Sequence, residues 1–191
     1  SLATAGVPDV THCTATLAYV GPERTVLLNV PDGNGNPFTA AVKVGGGVAD
    51  ATITVIVKDS TGAAIVNYPF EDIWIVSVDG GMVACTGGAT SDASTDVDGM
   101  TEFQTPLQAG GSSLTDTQVL INGNAIGGTV LVSYNSPDLD ANGAVNLTDV
   151  QFFASDFYAV SYAFRSDLFF DNVINLSDIP VMASSVGAAC P

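Results

Sequence analysis

The stretch DLDANGAVNLTD, residues 138–149, and its echo DLFFDNVINLSD, residues 167–178, decide how the C-terminal part of this chain is read. Laid over one another, they match Asp138 with Asp167, Leu139 with Leu168, Asn146 with Asn175, Leu147 with Leu176 and Asp149 with Asp178. Val145/Ile174, Thr148/Ser177 and Val150/Ile179 are conservative pairs, and the match runs on through Ala154/Ala183 and Ser155/Ser184. An internal repeat of this kind marks one structural unit used twice.

In the first copy, oxygen-bearing side chains stand at loop positions 1, 3, 5, 9 and 12, as Asp138, Asp140, Asn142, Asn146 and Asp149, with Gly143 at position 6. A loop that wraps a hard cation needs this spacing: alternate residues point inward, glycine makes the sharp turn, and position 7, here Ala144, offers its backbone carbonyl. The metal implied is Ca²⁺, because the loops hold neither the His nor the Cys that zinc or copper prefers.

Position 12 is Asp where a helix-loop-helix EF-hand carries Glu, and the residues before each loop do not read as an entering helix. Pro137 precedes the first loop and the strand-like TVLVSY lies just upstream. Over residues 136 to about 188 the chain resembles the type I dockerin module, a tandem of two Ca²⁺ loops, each followed by one helix, found in extracellular bacterial proteins. The second copy departs from that pattern, with Phe169 at position 3 and Asn172 in place of the glycine. It leaves Asp167, Asp171, Asn175, Asp178 and the Val173 carbonyl as ligands. Asn tolerates a left-handed backbone better than most residues, so the turn is expected to survive and the second site to bind more weakly.

Twenty acidic residues face four basic ones, Arg24, Lys43, Lys58 and Arg165, for a net charge of -16. That balance argues against nucleic-acid or anionic-membrane binding, both of which need Lys/Arg clusters. The chain is nonetheless 47% hydrophobic and only 13% charged, unlike a disordered chain, so its surface must be largely Ser, Thr, Asn and Gly. Such a surface suits packing against copies of itself or carrying sugars. No apolar run is long enough to span a membrane. The start at Ser1 fits a mature secreted product with its signal peptide removed, and equally a chain cut at that point. The expected location is therefore extracellular or on the cell surface. Of the three cysteines, Cys13, Cys85 and Cys190, the pair preferred is Cys13 with Cys85, with Cys190 competing for either.

Three regions follow. Residues 1–49 read as a strand-rich arm, with TVLLNV (25–30), the turn run PDGNGNP (31–37) and a second strand FTAAVKV (38–44). Residues 50–135 carry several short strands separated by Gly-rich turns: ATITVIVKD (50–59), IWIVSV (73–78), MVAC (82–85), MTEFQT (100–105), TQVLING (117–123) and GTVLVSY (128–134). In the first of these Ile53, Val55 and Val57 share one face, the period of a half-buried strand. The spacing argues a β-sandwich. The pairing of ITVIVKDSTGAAI with the later TDVDGMTEF resembles bacterial Ig-like domains of the invasin type. Trp74 reads as a core aromatic rather than a ligand platform.

Residues 136–191 form the dockerin-like module. Only Asn135, Ser136 and Pro137 separate Tyr134 from Asp138, so no flexible linker intervenes and the module should pack on the sandwich as one rigid body. Its helices are expected at about 147–157 and 176–186. Phe152, Phe153, Phe157, Met182 and Val186 would share a small core, and Pro180 falls in the second helix's first turn, where it does no harm. The fold class is thus mainly β: an Ig-like β-sandwich followed by a small helical module with two EF-hand-type calcium loops.

Catalysis is poorly supported. The lone His12 has no serine motif around it, and Glu71 and Asp72 are adjacent, so on a strand they face opposite ways. Asn146-Leu-Thr and Asn175-Leu-Ser fit the N-glycosylation pattern, but both asparagines sit at loop position 9, where metal ligation is the better reading. Two functions from different classes remain. One is a self-assembling subunit of an extracellular filament or surface layer, joined by strand addition or head-to-tail packing. The other is an adaptor binding a cohesin-like partner. An unpaired arm favours the first, and an arm paired within its own sandwich weakens it.

Overall fold

The structure, a computed structural model, describes residues 6–159 and 161–191. In chain order its strands are β1 (Thr14–Leu17), β2 (Thr25–Leu28), β3 (Ala41–Lys43), β4 (Val48–Ala49), β5 (Ile53–Ile56), β6 (Ile73–Ser77), β7 (Met82–Ala84), β8 (Met100–Phe103), β9 (Ala109–Gly111), β10 (Thr117–Ile121), β11 (Asn124–Ala125) and β12 (Val132–Asn135). Two α-helices follow, α1 (Leu147–Phe157) and α2 (Asp178–Ser185). The protein is mainly β.

The strands run where β-branched residues alternate with polar ones, because a pleated strand sends successive side chains to opposite faces. In β5 Ile53 and Val55 are buried while Thr54 and Ile56 are not; β6 and β10 repeat the alternation through Ile73, Ile75, Val119 and Ile121. These residues meet in one core with Leu27, Phe38, Phe103, Val132 and Tyr134. Two three-stranded sheets, β1-β5-β8 and β11-β10-β6, face each other across it, joined by a four-stranded sheet β12-β2-β3-β4 and the pair β7-β9. The turns at Asp59 and Asp96 are built alike. Asp59 Oδ1 accepts from the N–H groups of Thr61 and Ala63, and Asp96 Oδ1 from those of Asp98 and Met100. Each turn closes on a glycine with positive φ, Gly62 and Gly99.

One open alternative is decided and several expectations are corrected. The strands of residues 1–49 are paired within the chain: β1 lies antiparallel on β5, and β2 runs parallel to β12 with Leu28 opposite Asn135. Residues 38–44 begin as a 3₁₀ turn, Phe38–Ala40, because Phe38 turns into the core against Phe103, and only Ala41–Lys43 extends. Trp74 is half-buried on the outward face of β6 and lies outside the core. The disulfide joins Cys85 to Cys190, with Cα atoms 5.5 Å apart, and Cys13 is a buried free thiol. The reason is local. Pairing of β1 with β5 lays Cys13 against the Lys58 backbone, while the C-terminal tail folds back so that Cys190 N donates to Gly143 O at 2.8 Å.

The two-helix unit has its own core of Leu139, Val145, Phe153, Leu168 and Met182, against which Phe157, Val150 and Leu28 pack. Leu28 belongs to β2, so the unit sits directly on the sandwich. Every residue from Val132 to Leu139 is buried. Phe152 and Val186, expected in this core, are exposed instead. Phe152 lies under the Arg165 guanidinium, 5.1 Å from its ring centroid. The second helix starts at Asp178, two residues later than expected, because the preceding residues are held in the loop turn, where Asn175 N donates to Asp178 Oδ2 and Ser177 N to Asn175 Oδ1.

The disulfide closes a loop of 105 residues that contains the whole two-helix unit. Its reduction should lower stability by about 5 kcal/mol on chain-entropy grounds. Thermal melts with and without reductant, and of Cys190→Ser, measure it; an unchanged midpoint would show that the covalent closure contributes nothing.

Candidate metal centre

Both repeats fold into the same hydrogen-bonded loop. At position 1, Asp138 Oδ1 accepts from Asn142 N at 3.1 Å and Oδ2 from Gly143 N at 2.9 Å. Asp167 does the same, from Asp171 N at 3.2 Å and Asn172 N at 2.9 Å. At position 12, Asp149 Oδ1 accepts from Leu139 N at 2.8 Å and Asp140 N at 3.2 Å, while Oδ2 accepts from Asn146 N at 2.8 Å. Asp178 repeats this with Leu168, Phe169 and Asn175 at 2.7, 2.9 and 2.8 Å. The position-9 asparagines, Asn146 and Asn175, accept from Thr148 N and Ser177 N; Asn146 thereby caps α1, whereas the N-cap of α2 is Ser177. In the first repeat this completes a capping box with Asp149.

The backbone reaches this shape through left-handed residues at positions 4 and 6. These are Ala141 and Gly143 in the first loop, with φ of 58° and 87°, and Phe170 and Asn172 in the second, with φ of 61° and 66°. The asparagine that replaces glycine at position 6 therefore takes the left-handed turn expected of it. The strained position 4 has no signature in the sequence, since neither Ala nor Phe favours that region.

The first loop gathers acid. Carboxylate oxygens of Asp138, Asp140 and Asp149 all lie within 4.8 Å of one another. Asn142 Oδ1 accepts from Ala144 N, and the Ala144 carbonyl accepts from Asn146 Nδ2, so the five expected side chains and the carbonyl share one small loop. In the second loop Phe169 removes the middle carboxylate, and no such triad forms there among the described residues. There Asp171 Oδ2 accepts from Asn175 Nδ2 at 3.0 Å and the Val173 carbonyl from the same amide at 3.4 Å. Tyr162, which the sequence did not single out, donates its hydroxyl to Asp167 Oδ2 at 2.7 Å.

Asp138, Asp149 and Asp178 are fully buried and Asp167 is nearly so. Arg24 and Arg165 are paired with Asp116 and Asp156, and no Lys or Arg bridges to these four among the described residues. Burial pushes Asp138 up to about 6, with the neighbouring Asp149 and Asp140 charges adding to it and the Gly143 and Asn142 N–H groups opposing. Burial also raises Asp167, against the Tyr162 hydroxyl and the Asn172 N–H. Burying carboxylates together without a cation costs several kcal/mol, which a bound cation would offset.

The sandwich holds the first loop as closely as the loop holds itself. Gly111 N donates to Asp138 O at 2.8 Å, and the Asp138 carboxylate lies over Gly110, where any Cβ would collide with it. At the end of β12, Asn135 Nδ2 donates to the carbonyls of Phe164, at 2.7 Å, and Asp167, at 2.9 Å, tying the second loop to the sheet. Only a glycine pair in AGG (109–111) hinted at this close approach.

No protein-family model matches the chain, and no curated protein does. Among solved structures, that of the Lin-41 filamin domain aligns at 15% identity over 65% of this chain and 95% of that one, with a TM-score of 0.31, a likeness that carries no argument.

Gly110→Ala should displace Asp138 and destabilise the protein by about 2 kcal/mol or more. Gly127→Ala, where nothing lies within 4 Å, should cost far less. Chemical denaturation of both variants makes the comparison; equal losses would mean that β9 does not brace the loop.

Proposed function

We propose that the protein is a secreted, non-catalytic structural protein that binds Ca²⁺ in its two loops, the first more tightly, and packs with copies of itself into an extracellular filament or surface layer. The observation that carries the calcium reading is the Asp138–Asp140–Asp149 triad, buried at two of its three members and lacking a cationic partner. The donors of both loops are oxygens throughout, which fits a hard cation such as Ca²⁺. Bound there, the ion would neutralise the carboxylates. Asp138, Asp140, Asn142, Ala144, Asn146 and Asp149 would hold it in the first loop, and Asp167, Asp171, Val173, Asn175 and Asp178 in the second. This is the arrangement of a type I dockerin-like module on an Ig-like domain.

The disulfide supports an oxidising and hence extracellular setting. No helix is long and apolar enough to cross a membrane. The buried junction and the tail clipped back on the first loop support a rigid block rather than a tethered adaptor. Because β1 and β2 pair internally, strand addition by the arm loses its support, and the assembly proposed is by head-to-tail packing. One observation favours a second reading. An apolar groove of about 450 Å³ between α1 and α2, lined by Phe153, Phe157, Met182 and Val186, would suit a cohesin-like partner.

Electron microscopy in millimolar Ca²⁺ and after chelation separates the two. Ordered filaments that fray on chelation are expected; single particles in both states would leave the adaptor reading. Asp138→Ala should abolish calcium-dependent folding of residues 136–188, and Asp167→Ala should cost less, read by circular dichroism. Equal and negligible losses would sink the calcium assignment.

Proton linkage adds a further expectation. The raised Asp138 carboxyl binds its proton more tightly folded than unfolded, so between the ordinary carboxylate range and about pH 6 the metal-free fold loses stability as pH rises. A cation must displace that proton. Calorimetric Ca²⁺ affinity at the first loop should therefore fall about tenfold from pH 7 to pH 5. A flat profile would show that Asp138 is not a ligand.

A further inference from the structure

We propose that the outward face of β6 carries a binding cleft for a neutral oligosaccharide, formed by Trp74, Phe70 and Glu71 together with the polar groove beside them. The alternation of β6 buries Ile73, Ile75 and Ser77 and turns Trp74 and Val76 outward, so the large indole is spent on a surface where core packing does not require it. The ring lines a cleft of about 520 Å³ that also takes in Phe70 and Met82, a volume in the range of small-ligand sites. Its rim carries Glu71, exposed in the 3₁₀ turn Phe70–Asp72 that precedes the strand.

A second cavity of about 400 Å³ adjoins the first, with Phe70, Gly87 and Thr90 common to both. It is lined by groups of the opposite character, among them Asp32, Ser91, Asp92 and Gln108. The two form one amphipathic groove, an aromatic floor followed by hydroxyl, amide and carboxylate groups. No Lys or Arg lines either part, so the groove repels phosphate, uronate and other anions. A neutral sugar chain supplies the complementary chemistry: C–H faces to lie on an indole, and hydroxyls to donate to carboxylates and exchange hydrogen bonds with Ser and Gln. No residue of the two loops lines the groove, so its occupancy is independent of the metal reading.

Trp74 is the single tryptophan of the chain, so indole emission reports on this groove alone. The experiment titrates the intact protein with neutral hexasaccharides of β-1,4-glucose, β-1,4-mannose and α-1,4-glucose, and with a Lys/Arg-rich peptide as the competing class. A saturating change in emission with at least one sugar, at about millimolar Kd, is expected. It should be lost in Phe70→Ala and weakened several-fold in Glu71→Gln, both of which keep the reporter and lie outside the core. Thermal melts confirm that each variant is folded, and calorimetry on Trp74→Phe checks the loss without the fluorophore. No change with any sugar up to about 10 mM would overturn the proposal. So would a response to the basic peptide alone, or a sugar response that Phe70→Ala and Glu71→Gln leave intact.

Discussion

Asp138 and Asp149 are carboxylates in a place that water does not reach, and the two-helix unit depends on how they are satisfied. Each gathers backbone N–H groups from the loop around it, so the same oxygens that close the turn also set the helix cap and the entry of the chain from the sandwich. Backbone donors alone do not offset the loss of water, which is the main reason the Asp138 carboxyl holds its proton above the ordinary range, the facing Asp149 and Asp140 charges adding to it. The second repeat meets the same constraint differently. It drops the middle carboxylate for Phe169 and lets Tyr162 and Asn175 supply protons to Asp167 and Asp171.

The unit and the sandwich are consequences of each other. Asn135 ends a strand and, with its side chain, holds the carbonyls that lead into the second loop. Gly110, in the middle of β9, leaves room for Asp138. Leu28 ties β2 to the helical core from below. Such contacts make relative motion of the two parts costly, in contrast to modules joined by a flexible linker.

Periodicity carried much of this architecture in plain view. The alternation in ITVIV and the repeat of DL…N-L-[TS]-D placed the buried strand and the two loops, because both rest on local spacing. Leu147–Phe157 was legible as a helix for the same reason. What rested on distance was not legible: nothing near Cys13 or Cys190 says which one meets Cys85, since that depends on where a tail folds back. Trp74 was misread because an aromatic on a strand usually points inward, and only the register of β6 against β10 decides its face. Tyr162 and Gly110 act through contacts whose partners lie in other elements; the AGG run hints at a close approach at Gly110 without naming its partner, and nothing marks Tyr162. The strained left-handed backbone at Ala141 and Phe170 is paid for by the loop's hydrogen bonds, against the residues' own preference.

The disulfide gives the chain an unusual mechanical topology. Cys190 follows α2, and its partner Cys85 follows β7 in the sandwich. Tension applied on the C-terminal side of Cys190 therefore passes through the sulfur bridge to Cys85 and bypasses the covalent path through residues 86–189. The two repeat loops and both helices lie inside the bypassed segment, together with β8 to β12. In a protein that transmits pull along its length, the two-helix unit would be spared the direct covalent load.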